Sequence, residues 1–217
     1  MSLKKISIIG AGQAAAYAAN EIRKHDKELG ITIFNEENYL PYERPPLSKD
    51  SITNKKKYDE LSFFSKEFYN SENIQFINKS VKKVDFTNKT LITNDEKLEP
   101  YDNLLITTGS KNKKLNFGVG QQDISDSILY LRNIEDSKRI KESINTHETF
   151  AIIGGGFIGL EVASSIAQLG KKAYVIEMGQ QLMGRVIPTQ IAKLVSSYHE
   201  DKGNVILLET NIVSIDL

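Results

Sequence analysis

Two glycine-rich turns constrain this chain more than any other feature. Gly10-Ala11-Gly12-Gln13-Ala14-Ala15 follows the β-branched run Lys5 to Ile9 and opens an alanine-rich stretch from Ala14 to His25. Gly154-Gly155-Gly156-Phe157-Ile158-Gly159 follows Phe150 to Ile153 and opens the apolar stretch Phe157 to Leu169. A second apolar run comes after each, Ile31 to Phe34 and Ala173 to Ile176. Strand, glycine turn, helix and strand make a βαβ unit, whose crossover should be right-handed. Continuous rather than alternating apolar strands are what a parallel sheet covered on both faces requires.

The turns fit G-x-G-x-x-A and G-x-G-x-x-G. The first glycine allows a tight turn, the second lets a pyrophosphate approach the backbone, and the third small residue keeps helix close to strand. Free N–H groups and the dipole at the helix N-terminus favour phosphate there. A single such match is weak, but both sit in the same strand–turn–helix context and both precede an acid. Glu36 lies 26 residues after Gly10 and Glu177 lies 23 after Gly154, near the ~20-residue offset from which a carboxylate reaches ribose hydroxyls. A carboxylate at Glu177 favours a free 2′-OH over a 2′-phosphate. Met178-Gly179-Gln180-Gln181 offers no base to welcome that phosphate, so NADH is expected over NADPH. The predicted fold class is α/β, with two Rossmann-like dinucleotide-binding domains in series.

Between the turns the texture changes. Ile74 to Ile77 reads as a strand, Val81 to Phe86 and Thr90 to Ile92 as a hairpin turning at Asn88, and Leu104 to Ile106 as a further buried strand. Polar, glycine-bearing Lys111 to Gln122 is the expected linker, which puts the domains at 1–114 and 115–217. Helices are expected over Arg132 to Ile144 and Pro188 to His199, and strands over Val205 to Leu208 and Ile212 to Ile215.

Composition narrows the function. The 28 basic and 28 acidic residues cancel, so nothing calls for nucleic acid, whose binding needs a basic face. There is no cysteine, which removes disulfides, thiolate metal sites and redox-active thiol pairs. His25, His147 and His199 are isolated from one another, so no metal site is expected. Two segments imitate membrane signals: Lys4 to Ala19, with Ala16-Tyr17-Ala18 like a cleavage site, and Phe150 to Gly170. Both are broken by glycines where a strand should become a helix, and Glu161 lies inside the second. They read as sheet units, with a cytoplasmic location and no membrane partner expected.

Leu40-Pro41-Tyr42-Glu43-Arg44-Pro45-Pro46-Leu47-Ser48-Lys49 is more specific than the glycines. Together with Thr107-Thr108-Gly109, Tyr130-Leu131-Arg132-Asn133 and Gly154 to Ala163, it resembles, in order, the ferredoxin and rubredoxin reductases of the putidaredoxin reductase type and the apoptosis-inducing factors. These belong to the FAD-dependent pyridine nucleotide-disulphide oxidoreductases. The resemblance implies that Gly10, Gly12, Gln13, Ala14 and Ala15 hold the FAD pyrophosphate, and that Glu36, helped by Glu37, binds its ribose. It implies FAD contacts at Arg44, Lys49, Val81, Thr108, Gly109 and Arg132. Gly154, Gly156, Ile158, Gly159 and Glu177 would hold NAD(H). Lys49 and Glu161 would pair at the reacting centre, where a lysine stabilises charge that builds on the flavin.

Disulfide- and peroxide-reducing relatives pass electrons through a cysteine, which this chain lacks. The implied activity is therefore transfer from NADH through FAD to a ferredoxin or rubredoxin-like carrier. The same motifs also allow an apoptosis-inducing-factor-like protein that responds to NADH by binding a partner. Family members run to nearly twice this length, and complete the FAD domain after the nicotinamide domain with a stretch ending in Gly-Asp. That dipeptide is absent here. Both domains are expected to be incomplete in this chain, which on its own is expected to bind FAD weakly or not at all, as a truncated, inactive fragment would.

Overall fold

The computed structural model describes residues 4–115 and 127–215. The chain forms two compact units, Met1–Glu43 with Leu61–Ser110 and Arg44–Glu60 with Lys111–Leu217.

In the first unit, β1 (Lys5–Ile9) lies at the centre of a parallel sheet ordered β3-β2-β1-β7, where β2 is Gly30–Phe34, β3 is Ile74–Ile77 and β7 is Asn103–Ile106. Helix α1 (Gln13–His25) buries Ala15, Ala16 and Ala19, of which Ala15 and Ala19 pack with the sheet residues. All three are fully buried, and the small face lets helix and sheet approach closely. Ile8, Ile31, Ile33, Tyr69 and Ile74 fill the core beneath it. Arg23 is also buried, at 3% exposure. Its guanidinium is satisfied by donating to the carbonyls of Glu72, Asp26 and Lys27, as a buried charge requires.

A three-stranded antiparallel meander completes this unit: β4 (Val81–Asp85), β5 (Thr90–Thr93) and β6 (Leu98–Pro100). The expected hairpin is there, with the Asn88 amide donating to Asp85 Oδ1 at its turn. Strand β6 and the short helix α2 (Lys66–Ser71), capped by Ser65, extend the sequence reading.

In the second unit, β8 (Thr149–Ile153), β9 (Lys172–Ile176) and β10 (Val205–Leu207) form a parallel sheet ordered β10-β9-β8. Helix α3 (Ile134–Thr146) starts at a capping box between Asn133 and Asp136, two residues later than expected because Asn133 satisfies the free amides. Helix α4 (Phe157–Gln168) follows the glycine turn, and α5 (Thr189–Asp201) follows Pro188. The stretch that imitated a membrane span is thus a strand, a turn and a 12-residue helix. Among the described residues no helix is long and apolar enough to cross a membrane.

Leu160, Ala163, Ile166, Ala173, Val175 and Leu182 form the core of this unit, joined by Ile52 from the Arg44–Glu60 segment. The expected strand at Ile212 to Ile215 is absent. That stretch is irregular, with Val213 87% exposed, and it pairs with neither edge of the β10-β9-β8 sheet. Part of the expected linker, residues 116–122, falls outside the described residues.

Candidate functional site

Both glycine turns are built alike. The Gly10 amide donates to the Phe34 carbonyl at 3.0 Å, and the Gly154 amide donates to the Ile176 carbonyl at 2.8 Å. Each ties the end of one strand to the end of the next. Gly10 and Gly154 have φ of +97° and +104°, a left-handed geometry that costs other L-residues about 1–2 kcal/mol. Gly12 and Gly156 are the N-caps of α1 and α4, with no side-chain cap and no acid in the first turn. A Cβ added at either would meet nothing within 4 Å. The amides of both helix starts therefore face open space, which fits a pyrophosphate. Gln13 and Ala14 are exposed at the first of these rims, while Ala15 is buried. At the second, Ile158 is 55% exposed.

The turns differ in what closes them. At Gly10 it is Thr107, whose hydroxyl lies 3.0 Å from both the Ile9 and Gly10 carbonyls. Thr108 and Gly109, which the sequence singled out, are exposed just beyond it. At Gly154 it is Glu177, whose carboxylate accepts from the Gly155 and Gly179 amides, each at 2.8 Å. Strand register makes Asn35 the counterpart of Glu177, since Ile9 pairs with Phe34 and Ile153 with Ile176. Asn35 is buried and donates to the Tyr39 carbonyl. Glu36, one residue on, is exposed, whereas Glu37 accepts from the Tyr42 hydroxyl at 2.5 Å. Val81 opens β4, opposite Thr93.

The Arg44–Glu60 segment brings the remaining candidates into the second unit. Pro45–Ser48 is a 3-10 turn, stiffened by two fixed φ angles. Arg44 donates to the Arg132 carbonyl at 2.5 Å, and the Arg132 amide donates to Asp136. Lys49 Nζ lies 2.7 Å from Glu161 Oε1, so the pair expected from the sequence is formed. Glu161 also lines a cavity of about 190 Å³ with Phe157, Leu160, Ser164, Met183, Val195 and His199.

Sequence reasoning passed over three serines around that pair. Ser48 Oγ donates to Glu161 Oε2 at 2.5 Å. Ser165 Oγ donates to the Ser48 carbonyl and Ser137 Oγ to the Leu47 carbonyl, each at 2.7 Å. The Lys49 and Glu161 side chains are 43% and 29% exposed. An ion pair that open contributes about 0–1 kcal/mol, whereas a hydrogen bond to a charged group is worth about 1.5–3 kcal/mol. Ser48 is thus the stronger hold on Glu161. Polar residues inside the P-P-L-S-K run and on the helix after the second fingerprint were the available signal.

The family profile described as pyridine nucleotide-disulphide oxidoreductase matches residues 4–216. The chain belongs to that family. Among its relatives, the 3-phenylpropionate/cinnamic acid dioxygenase ferredoxin--NAD(+) reductase component of Photorhabdus laumondii is 33% identical over 208 residues, 95% of this chain and 52% of the relative. A rubredoxin-NAD(+) reductase of Pseudomonas putida is 31% identical over 211 residues, 97% of this chain and 54% of the relative. The crystal structure of a ferredoxin reductase from Rhodopseudomonas palustris superposes with a TM-score of 0.91 at 28% identity, covering 99% of this chain and 52% of that one. This member of the family therefore spans about half the length of the curated relatives it matches.

Proposed function

We propose that this chain carries the FAD- and NADH-binding parts of a flavoprotein oxidoreductase that passes electrons from NADH through FAD to a small iron–sulfur or rubredoxin-type carrier. The observation that carries the reading is the Lys49–Glu161 pair, held at 2.7 Å on the helix that the second glycine turn opens. In this reading the first unit is the FAD-binding part, with Gly10, Gly12, Gln13, Ala14 and Ala15 at the pyrophosphate, Glu36 at the ribose, and Val81, Thr108 and Gly109 as further contacts. Arg44, Lys49 and Arg132 are assigned to the same cofactor. Gly154, Gly156, Ile158, Gly159 and Glu177 take NADH.

When bound, the flavin supplies the step between two-electron and one-electron chemistry. The protein's own residues bind, orient and stabilise charge. The open helix N-termini take the phosphates. Glu177 spends two acceptor sites on Gly155 and Gly179, and a carboxylate has about four, so two remain for ribose hydroxyls. A 2′-phosphate would meet a like charge there, which favours NADH. Lys49 supplies a fixed positive charge, and Glu161 keeps it in place.

The test is anaerobic mixing of the chain with excess FAD and either NADH or NADPH. Oxidised-flavin absorbance should be lost faster than with FAD alone, with NADH preferred, and Glu161→Gln should slow the loss about tenfold, the factor that 1.4 kcal/mol represents. Bleaching no faster than the protein-free control, at FAD concentrations where titration shows the chain loaded with flavin, would overturn the reading.

A further inference from the structure

We propose that Ser48 is a positioning residue for the Lys49–Glu161 pair, and that Ser165 in turn positions Ser48. The proposal rests on the electron-transfer reading for its consequence, but its geometry stands apart from that reading. Glu161 and Ser165 lie four residues apart on α4, and so share one helix face. That face grips Ser48 twice. The Glu161 carboxylate accepts the Ser48 hydroxyl proton at 2.5 Å, and the Ser165 hydroxyl donates to the Ser48 carbonyl at 2.7 Å.

The division of labour follows from burial. Ser48 and Ser165 are 4% and 1% exposed, so their hydroxyls are locked by packing. Lys49 ends in a flexible stem with its side chain 43% exposed. An ammonium so placed can follow a carboxylate but not fix one, because it is a point charge without directional demand. The carboxylate is fixed instead by the directional bond from Ser48 at Oε2, which leaves Oε1 turned to Lys49. The Ser48 hydroxyl also lies 3.3 Å from the Pro45 carbonyl, but its single proton goes to the nearer and charged acceptor. Ser137 holds the preceding carbonyl, that of Leu47, so α3 and α4 together secure the turn that carries Ser48.

The first measurement needs no cofactor. In the full chain labelled with carboxyl-¹³C glutamate, the Glu161 resonance is the one lost in Glu161→Gln. It should move in Ser48→Ala, return towards its wild-type position in Ser48→Thr, and move less in Ser165→Ala. If Ser48→Ala does not fold, Ser48→Cys keeps the volume with a weak donor and is read in the same way. An unmoved Glu161 signal overturns the proposal, because a purely packing role would lower the melting temperature without shifting that carboxylate.

The second measurement is the anaerobic flavin bleaching. Ser48→Ala should lower the limiting rate about tenfold (about 1.4 kcal/mol) with the NADH concentration for half-saturation changed less than about twofold, a difference of about 0.4 kcal/mol. An unchanged limiting rate, where Glu161→Gln does slow bleaching, overturns the positioning role. A Glu161 resonance that shifts in Ser48→Ala, together with a wild-type chain that shows no NADH-dependent bleaching, upholds the contact and removes the electron-transfer reading instead.

Discussion

The two glycine turns share a fingerprint and a hydrogen bond, yet they are locked by different chemistry. The first is closed by a neutral hydroxyl, Thr107, and the second by a carboxylate, Glu177. The difference begins in the sheets. In the first unit β7 pairs with β1 and delivers Thr107 to the turn. In the second, β8 has no partner on the corresponding side among the described residues, and Gly154 has no atom within 4 Å of a would-be Cβ. Similar motifs can therefore rest on different supports, and single substitutions should tell the supports apart.

The largest contrast is expected between Gly10→Ala and Gly154→Ala. A Cβ at Gly10 would lie 2.5 Å from the Thr107 carbonyl oxygen. Left-handed strain and backbone overpacking then combine to cost about 3 kcal/mol or more. At Gly154 only the strain remains, about 1–2 kcal/mol. Equal urea midpoints for the two variants would break the comparison. The third small residue gives the next contrast. A Cβ at Gly159 would lie 2.1 Å from the Gly154 carbonyl oxygen, so Gly159→Ala should cost about 2–3 kcal/mol. The first unit already houses a side chain at the matching Ala15, and Ala15→Gly should cost only about 1 kcal/mol.

The acids sharpen the contrast at a smaller scale. Glu177→Ala removes the acceptor of two backbone amides and should lower stability by about 1–2 kcal/mol. Glu36→Ala, at an exposed position, should stay within about 0.5 kcal/mol. Thermal melts of the cofactor-free chain separate the two, and a loss in Glu36→Ala as large as in Glu177→Ala would show that both turns depend on their acids.

The smallest effect concerns pH and only the second unit. Burial holds the His199 imidazole below its ordinary range, and its Nδ1 lies 3.2 Å from Asn204 Nδ2. The unfolded chain takes up that proton more readily, so stability should fall as pH drops through the ordinary histidine value of about 6.5. The slope is bounded by about 1.4 kcal/mol per pH unit. His199→Gln should melt with a shallower pH dependence than wild type below neutrality, and an identical dependence would exclude the histidine as its source.

Much of this molecule was legible in the sequence where local pattern and burial agree. The strands flanking each glycine turn are continuous apolar runs, and α1 and α4 begin where the glycines end. The misses have tertiary causes. Strand β6, Leu98-Glu99-Pro100, has no strand-like composition and exists because β5 offers it an edge. Conversely, Ile212 to Ile215 has the composition but forms no strand among the described residues, so composition alone does not make one. At the candidate site the Lys49–Glu161 pair was legible only through family resemblance. Its support was not, because Ser165 stands 117 residues from the Ser48 carbonyl it holds, and no local spacing encodes such a bond.

Because Arg44–Glu60 belongs to the second unit, the order of synthesis separates it from its own core. Ile52 is fully buried against Leu160, Ala163 and Val175, all made more than a hundred residues later. At ~5–20 residues per second, Ile52 leaves the ribosome on the order of ten seconds before its packing partners exist. The first unit, which the same segment interrupts, must close around a loop still waiting for its own core. That interval is when a nascent chain of this kind most needs a chaperone. A protease pulse timed within it should cut between Arg44 and Glu60 before anywhere else in the first half.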